Sequence, residues 1–150
     1  MRRNRTTSIL AGALAGLMVS AGAAGAQEEE LKVGLVFTLS GPAAVLGEQG
    51  RDGFLLAVEE LGGEIGGLPT EVIVQDDELK PDVAVNKARE LVERDDVDFM
   101  VGPIFSNILQ AIHKPVIEGG AILISPNAGT SNFAGAACDP NFFVTSYQNN

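Results

Sequence analysis

Beyond residue 30, short apolar runs alternate with stretches in which apolar residues recur every three or four positions. Leu31 to Leu39 is nearly all apolar, with acidic residues before it and Ser40-Gly41-Pro42 after it, and predicts a buried strand. From Leu46 to Leu61, the spacing of Leu46, Gly50, Phe54, Ala57, Val58 and Leu61 predicts a helix with one buried face, stopped by Gly62-Gly63. Gly66-Gly67-Leu68-Pro69 turns the chain into a second strand, Thr70 to Gln75. Pro81 opens a second helix whose stripe is Ala84, Ala88, Leu91 and Val92, ending at Asp95-Asp96. A third strand, Phe99 to Val101, breaks at Gly102-Pro103. Ser106 is placed to cap a third helix with Ile108, Leu109, Ile112 and Val116 inside and a kink at Pro115. Ala121 to Ser125 reads as a fourth strand. A Gly/Asn/Ala-rich loop from Pro126 to Pro140 then leads to a short fifth strand around Phe142 to Val144.

Strands alternating with helices through short connections predict an α/β fold, a parallel sheet with helices on both faces. The expected strand order is 2-1-3-4-5. In such a sheet ligands bind outside the carboxyl ends of the strands, which here carry Leu39-Ser40-Gly41, Gln75-Asp76, Val101 to Ser106, and Ser125 to Thr130. Polar and glycine residues therefore gather where a ligand would sit.

The first 26 residues stand apart from this pattern. Arg2, Arg3 and Arg5 precede an apolar run, Ile9 to Val19, that ends in Ala24-Gly25-Ala26, the three regions of a secretory signal peptide with cleavage before Gln27. The run is shorter than the about 20 residues a membrane-spanning helix requires. The expected organisation is a signal peptide over 1–26 and a single domain over 27–150. The whole chain of 150 residues has 10 basic and 20 acidic side chains, a formal charge of -10. Losing the three leader arginines makes the remainder more acidic still, which disfavours nucleic acid and anionic lipid as partners. One cysteine, Cys138, rules out a multi-disulfide scaffold within the chain.

Enzyme and cofactor signals are sparse. There is no phosphate-binding G-x-x-x-x-G-K-[ST], Gly62 to Gly67 follows a helix instead of opening one, and there is no G-x-S-x-G elbow. No cofactor is expected. His113, the sole histidine, lies seven residues after Ser106, about 10 Å along the helix and too far for a hydrogen bond, so it is expected as an ordinary helix-surface residue. Asp76-Asp77-Glu78 lacks the alternating ligands and central glycine of a calcium loop and is expected to be a solvated strand end. Two segments remain. Ser106 at a helix start offers a hydroxyl and unpaired amides, and Ser125-Pro126-Asn127-Ala128-Gly129-Thr130 begins at the carboxyl end of the neighbouring strand. Together they suggest a pocket for a carboxylate.

Five segments resemble, in order and spacing, the periplasmic solute-binding proteins of the leucine/isoleucine/valine-binding type, the extracytoplasmic receptors of ABC importers. They are Leu39-Ser40-Gly41-Pro42, Ala57-Val58-Glu59-Glu60-Leu61, Asp76-Asp77 with Pro81-Asp82 and Ala84, Val101-Gly102-Pro103, and Ile124-Ser125-Pro126. Phe105-Ser106-Asn107, the Ser125 to Thr130 loop, and Asn141-Phe142-Phe143 through Tyr147-Gln148-Asn149 look most like the branch that takes aromatic carboxylates.

The resemblance implies a non-enzymatic, periplasmic capture protein for a branched-chain or other amino acid, or an aromatic acid, that hands its ligand to a membrane permease. It implies that the Ser106 hydroxyl holds the ligand carboxylate and that the Asn127 carbonyl faces an amino acid's ammonium. Ala128 falls in the same loop. Thr130, or Gly129 because the loop is a residue longer, stands where the family has a threonine on the carboxylate, and Leu46 falls over the ligand. A binding protein of this kind closes two lobes by a hinge, so residues 27–150 are expected to be an incomplete first lobe, in a fragment or a truncated reading frame. Cys138 would then pair with a residue elsewhere or be a free buried thiol. The rival readings are a secreted α/β hydrolase-like enzyme, disfavoured by the missing nucleophile motif, and the ligand-sensing domain of a receptor.

Overall fold

The computed structural model describes residues 29–146. The leader read over 1–26 and the segment Tyr147-Gln148-Asn149 lie outside the described residues. In chain order the elements are β1 (Leu31–Phe37), α1 (Ala44–Glu60), β2 (Glu64–Ile65), β3 (Leu68–Asp76), α2 (Pro81–Arg89) with a π-helical turn (Glu90–Arg94), β4 (Phe99–Val101), α3 (Ser106–Glu118), β5 (Ile122–Ser125), a 3-10 turn (Ser131–Ala134) and β6 (Phe142–Val144). They build one sheet in the order β2-β3-β1-β4-β5-β6. All pairings are parallel except the β2-β3 hairpin. The strands expected from sequence keep their relative places, and the order differs by β2, a two-residue antiparallel strand at the edge. Two residues are too few to show an alternation, so the pattern carried no sign of it.

Alternation along the strands splits the core into two halves. Val36, Met100 and Leu123 point toward α2 and α3, among buried Ala84, Ala88, Leu91, Ile108, Leu109, Ile112 and Val116. Val33, Leu35, Phe37 and Val101 point the other way, with Phe54 of α1 packed on them. At about 1.5 to 3 kcal/mol per fully buried Leu, Ile or Val, the half with α2 and α3 carries the larger share of the apolar stabilisation.

The inner face of α1 keeps Gly50, Phe54 and Val58 of the expected stripe and leaves Leu46, Ala57 and Leu61 outside. Gly47 and Val58 are its buried residues, while Leu46 is 47% and Leu61 61% exposed. A Cβ on Gly47 would stand 1.9 Å from the carbonyl oxygen of Thr38, so the helix backbone rests directly on the end of β1. That contact fixes the rotation of the helix, and large apolar residues taken alone pointed to a face turned by one position. Val45, Leu46, Leu55, Leu56 and Leu61 are left exposed. An apolar groove of about 200 Å³ beside α1, walled by Leu31, Phe54, Ile65, Phe99 and Ile124 among others, is likewise open.

Helix α2 does not end at Arg89. It widens into the π turn, where Asp95 N–H donates to the Glu90 carbonyl at 3.2 Å and Leu91 and Val92 are buried. Helix α3 begins at Ser106 and is not capped by it. Phe105, extended at φ -108 and ψ 140, holds the cap position, and its carbonyl accepts the N–H groups of Ile108 and Leu109. The extended backbone runs one residue further than the serine suggested. Pro115 lies inside α3, which continues to Glu118. Among the described residues no helix is long and apolar enough to cross a membrane.

Candidate ligand-binding site

Strand β1 has β3 on one side and β4 on the other, and the helices that follow β1 and β4 pack on opposite faces of the sheet. Their connecting loops therefore part at the carboxyl ends of these two strands, the position at which an open α/β sheet offers a crevice. The β4–α3 loop is drawn tightly onto β1. Gly102 has φ +129, and a Cβ there would stand 2.1 Å from the Val36 carbonyl oxygen, so a side chain fits neither the dihedral nor the space.

One strand over, the loop after β5 is organised from within. Ser125 is fully buried and its hydroxyl donates to the Ala128 carbonyl. Asn127 Nδ2 donates to the Ile104 carbonyl at 2.8 Å, which ties this loop to the one that leads into α3. Gly129 and Thr130 then form one wall of a cavity of about 330 Å³, and Phe133, Phe142, Val144 and Ser146 form most of the rest. That is within the size range of small-molecule pockets, about 300 to 1,000 Å³. Thr130 lines this cavity, and its Oγ1 is buried with no hydrogen-bond partner among the described residues. A buried hydroxyl without a partner is costly, which marks Thr130 as the polar residue of this wall to examine.

The acidic segment after β3 is not the solvated strand end expected. Asp77 is fully buried; its Oδ1 accepts from Thr38 Oγ1 at 2.6 Å and from Leu79 N–H at 2.8 Å. Burial pushes the Asp77 carboxyl above its ordinary range, with the Asp76 charge adding to the rise and the Thr38 and Leu79 hydrogen bonds opposing it. Asp76 Oδ1 accepts from the N–H groups of Leu39 and Glu78, each at 2.8 Å. Burial works against ionisation of Asp76 too, but these backbone donors outweigh it and hold the carboxyl below its ordinary range. Both carboxylates thus fasten the start of the β1–α1 loop. Among the described residues no three His, Cys, Asp or Glu side chains converge on a metal-binding arrangement.

His113 is half-buried and not the ordinary helix-surface residue expected. Its ring stacks on Phe133, with centroids 4.2 Å apart and planes 21° apart, and meets Phe142 edge-on at 5.0 Å. The two phenylalanines are themselves 5.1 Å apart. Burial holds the imidazole below its ordinary pKa, against the pull of Asp139. Spacing from Ser106 said nothing of this, because the contacts come from a loop 20 residues downstream. Cys138 is exposed on that loop, which removes the expectation of a buried thiol.

Of the residues expected to meet a ligand, the structure brings Asn127, Ala128, Gly129 and Thr130 together on one loop, with Gly129 and Thr130 on the cavity wall. Ser106 starts the helix behind the loop that Asn127 ties down. Leu46 lies in the first turns of α1, exposed and outside the cavity wall. Sequence reasoning missed Phe133, Val144 and Ser146. Phe133 is the lone aromatic residue of a Gly/Ala-rich stretch, and that isolation was the available signal.

Comparison with known proteins follows the same geometry. A family model described as periplasmic binding protein matches residues 30–150. A Leu/Ile/Val-binding protein of Rhizobium johnstonii is 31% identical over 101 residues, 66% of this chain and 27% of that protein. A solved solute-binding protein of an ABC transporter from R. palustris, in complex with benzoate, is 36% identical with a TM-score of 0.75, covering 80% of this chain and 33% of that one. The branched-chain amino acid transporter substrate-binding protein LivJ from Streptococcus pneumoniae, in complex with isoleucine, is 29% identical with a TM-score of 0.73, covering 80% and 34%. The chain thus spans about a third or less of the length of the proteins it matches.

Proposed function

Since the chain belongs to the periplasmic binding protein family, we propose that it is part of the extracytoplasmic substrate-binding component of an ABC importer. In this reading residues 1–26 direct export and are cleaved, and residues 27–150 form part of the first of two lobes that capture a small carboxylate in the periplasm for a membrane permease. The family is one of transporter binding proteins and not of enzymes.

The observation that carries the reading is the cavity between the loop after β5, which supplies Gly129 and Thr130, and edge strand β6, with the Thr130 hydroxyl buried and unpartnered among the described residues. In this reading a carboxylate oxygen accepts from Thr130 Oγ1 once that hydroxyl turns toward the cavity, and Ser106, at the start of α3, is the second hydroxyl to test. Phe133 and Phe142 supply an apolar, aromatic wall for the uncharged body of the ligand. The relatives named above carry benzoate and isoleucine, both small carboxylates with an apolar body. Ligand classes follow from that pairing of groups.

Calorimetry on the protein made from the complete reading frame tests the reading. Benzoate, 4-hydroxybenzoate, leucine and isoleucine are titrated beside benzamide, which has the ring without the charge. At least one carboxylate is expected to bind and benzamide is not. Benzamide binding as tightly as benzoate, or no binding of any of the carboxylates, would sink it.

A further inference from the structure

We propose that His113 is a positioning residue for ligand capture, holding the phenylalanine wall of the cavity from behind and making that wall sensitive to pH. The inference rests on the solute-binding reading above. Phe133 and Phe142 line the cavity on one side, and His113 touches both on the other, stacked on the first and edge-on to the second. The three rings come from three different elements: α3, the 3-10 turn and β6. Between Thr130 and Phe142 the backbone hydrogen bonds described are local, such as Phe133 N–H to the Thr130 carbonyl and Cys138 N–H to the Gly135 carbonyl, apart from Leu123 N–H to the Asn141 carbonyl, which joins the end of the loop to β5 and not to α3. The ring cluster is therefore the main tie between this loop and the helix beneath it. Thr130 directly precedes the 3-10 turn that carries Phe133, so a shift of that ring moves the hydroxyl that faces the ligand.

Protonation is the event that would shift it. His113 Nε2 is buried and has no hydrogen-bond partner among the described residues. The neutral ring can leave that nitrogen as an unprotonated acceptor, whereas the imidazolium must carry a proton on both nitrogens, one of them facing no acceptor. Charged groups lie beside the ring, where Lys114 and Glu118 of α3 and Asp139 of the loop line a second cavity with His113 and Cys138. Asp139 favours the imidazolium and Lys114 disfavours it, while burial disfavours it more than Asp139 favours it, which agrees with the lowered pKa of the ring. The attraction of a cation for the Phe133 face pulls the same way as Asp139, but a buried charged donor without an acceptor is the more costly defect. Relief comes from turning the imidazolium outward, which removes the support of both phenylalanines.

The first arm of the test needs no ligand. In the full-length protein, the ring resonances of Phe133 and Phe142 should move with pH in step with the titration of His113, and should be flat in His113→Phe. Unmoved ring resonances through that titration would overturn the inference whatever the protein binds. The second arm measures the affinity for benzoate and for isoleucine from pH 8 down through the titration of His113, which lies below the ordinary imidazole range. Wild type should lose affinity roughly tenfold as His113 charges, the scale of an ordinary site-to-site coupling. His113→Phe keeps an aromatic ring that cannot titrate and should bind about as tightly as wild type at pH 8 and hold that affinity over the same range. His113→Ala should bind weakly throughout. Wild-type affinity that is level or rises through the titration of His113 refutes the inference, as does a His113→Phe profile that falls like the wild type. Ring shifts as expected, with neither probe binding at any pH, would instead refute the solute-binding reading and leave His113 as the support of the two phenylalanines.

Discussion

Replacing Thr130 by Val separates a hydroxyl kept for a ligand from one kept for the fold. The two side chains have the same branched shape, and Thr130 sits at φ -77 and ψ 141, extended backbone that Val prefers. Only the hydroxyl is lost. That hydroxyl is buried with no partner among the described residues, and such a group costs about 1 to 3 kcal/mol against the same group in water. Thr130→Val should therefore leave stability unchanged or raise it by about 1 kcal/mol, contrary to the usual effect of altering a buried position. Binding should respond in the opposite sense. A hydrogen bond from a hydroxyl to a charged carboxylate contributes about 1.5 to 3 kcal/mol, and about 1.4 kcal/mol corresponds to a factor of ten. The expected loss of affinity is roughly tenfold to a hundredfold. Calorimetric titration with the carboxylate that binds wild type, beside thermal unfolding of the same preparations, reads both quantities. A variant that melts lower and binds unchanged would show that Thr130 serves the loop and not the ligand.

Four further outcomes follow from the same geometry. Ser106→Ala should weaken carboxylate binding by roughly tenfold, while stability falls by less than the about 1 kcal/mol of a true cap, since Phe105 holds the cap position; unchanged affinity would remove Ser106 from the site. Asp77→Asn should flatten the pH dependence of stability: the raised pKa of Asp77 means that its contribution is present in acid and lost as pH rises through the folded-state value, so the variant should gain on wild type between pH 4 and pH 7 in urea unfolding, and identical pH profiles would contradict the burial argument. The 150-residue chain expressed alone should bind a hydrophobic dye and self-associate, because Val45, Leu46, Leu56, Leu61 and Phe143 are exposed; a monomer silent to the dye would refute this. Amino-terminal sequencing of the periplasmic fraction should begin at Gln27, and a chain retaining Met1 in the cytoplasm would overturn export.

Fold was legible wherever burial imposed a period. The strand run Leu31 to Phe37 and the stripe Ile108, Leu109, Ile112, Val116 needed no knowledge of their partners, because a strand covered on both faces and a helix covered on one must read that way. Features set by contact between backbones were not legible. The rotation of α1 depends on Gly47 touching the Thr38 carbonyl, and a glycine enters a hydrophobicity pattern as a near-blank. The π turn at Glu90–Arg94 adds one residue to a helical turn while keeping Leu91 and Val92 inside, so the apolar stripe looks the same with or without it.

The site divides along the same line. Loop residues Asn127 to Thr130 could be placed at a strand's carboxyl end because connectivity alone puts them there. What they do there depends on partners distant in sequence: Asn127 on Ile104, Thr38 on Asp77, His113 on Phe133 and Phe142. In each case the bond or contact joins residues far apart in the sequence, so spacing along the chain could not show it. Thr130 is informative in another way: its hydroxyl, like Asp77 Oδ2 and His113 Nε2, is buried and finds no partner among the described residues, and it alone of the three residues lines the cavity with the phenylalanines. A protein that closes around its ligand should hold such a group in reserve, since a hydroxyl already satisfied within the fold would have to break one hydrogen bond to make another and would contribute little to affinity.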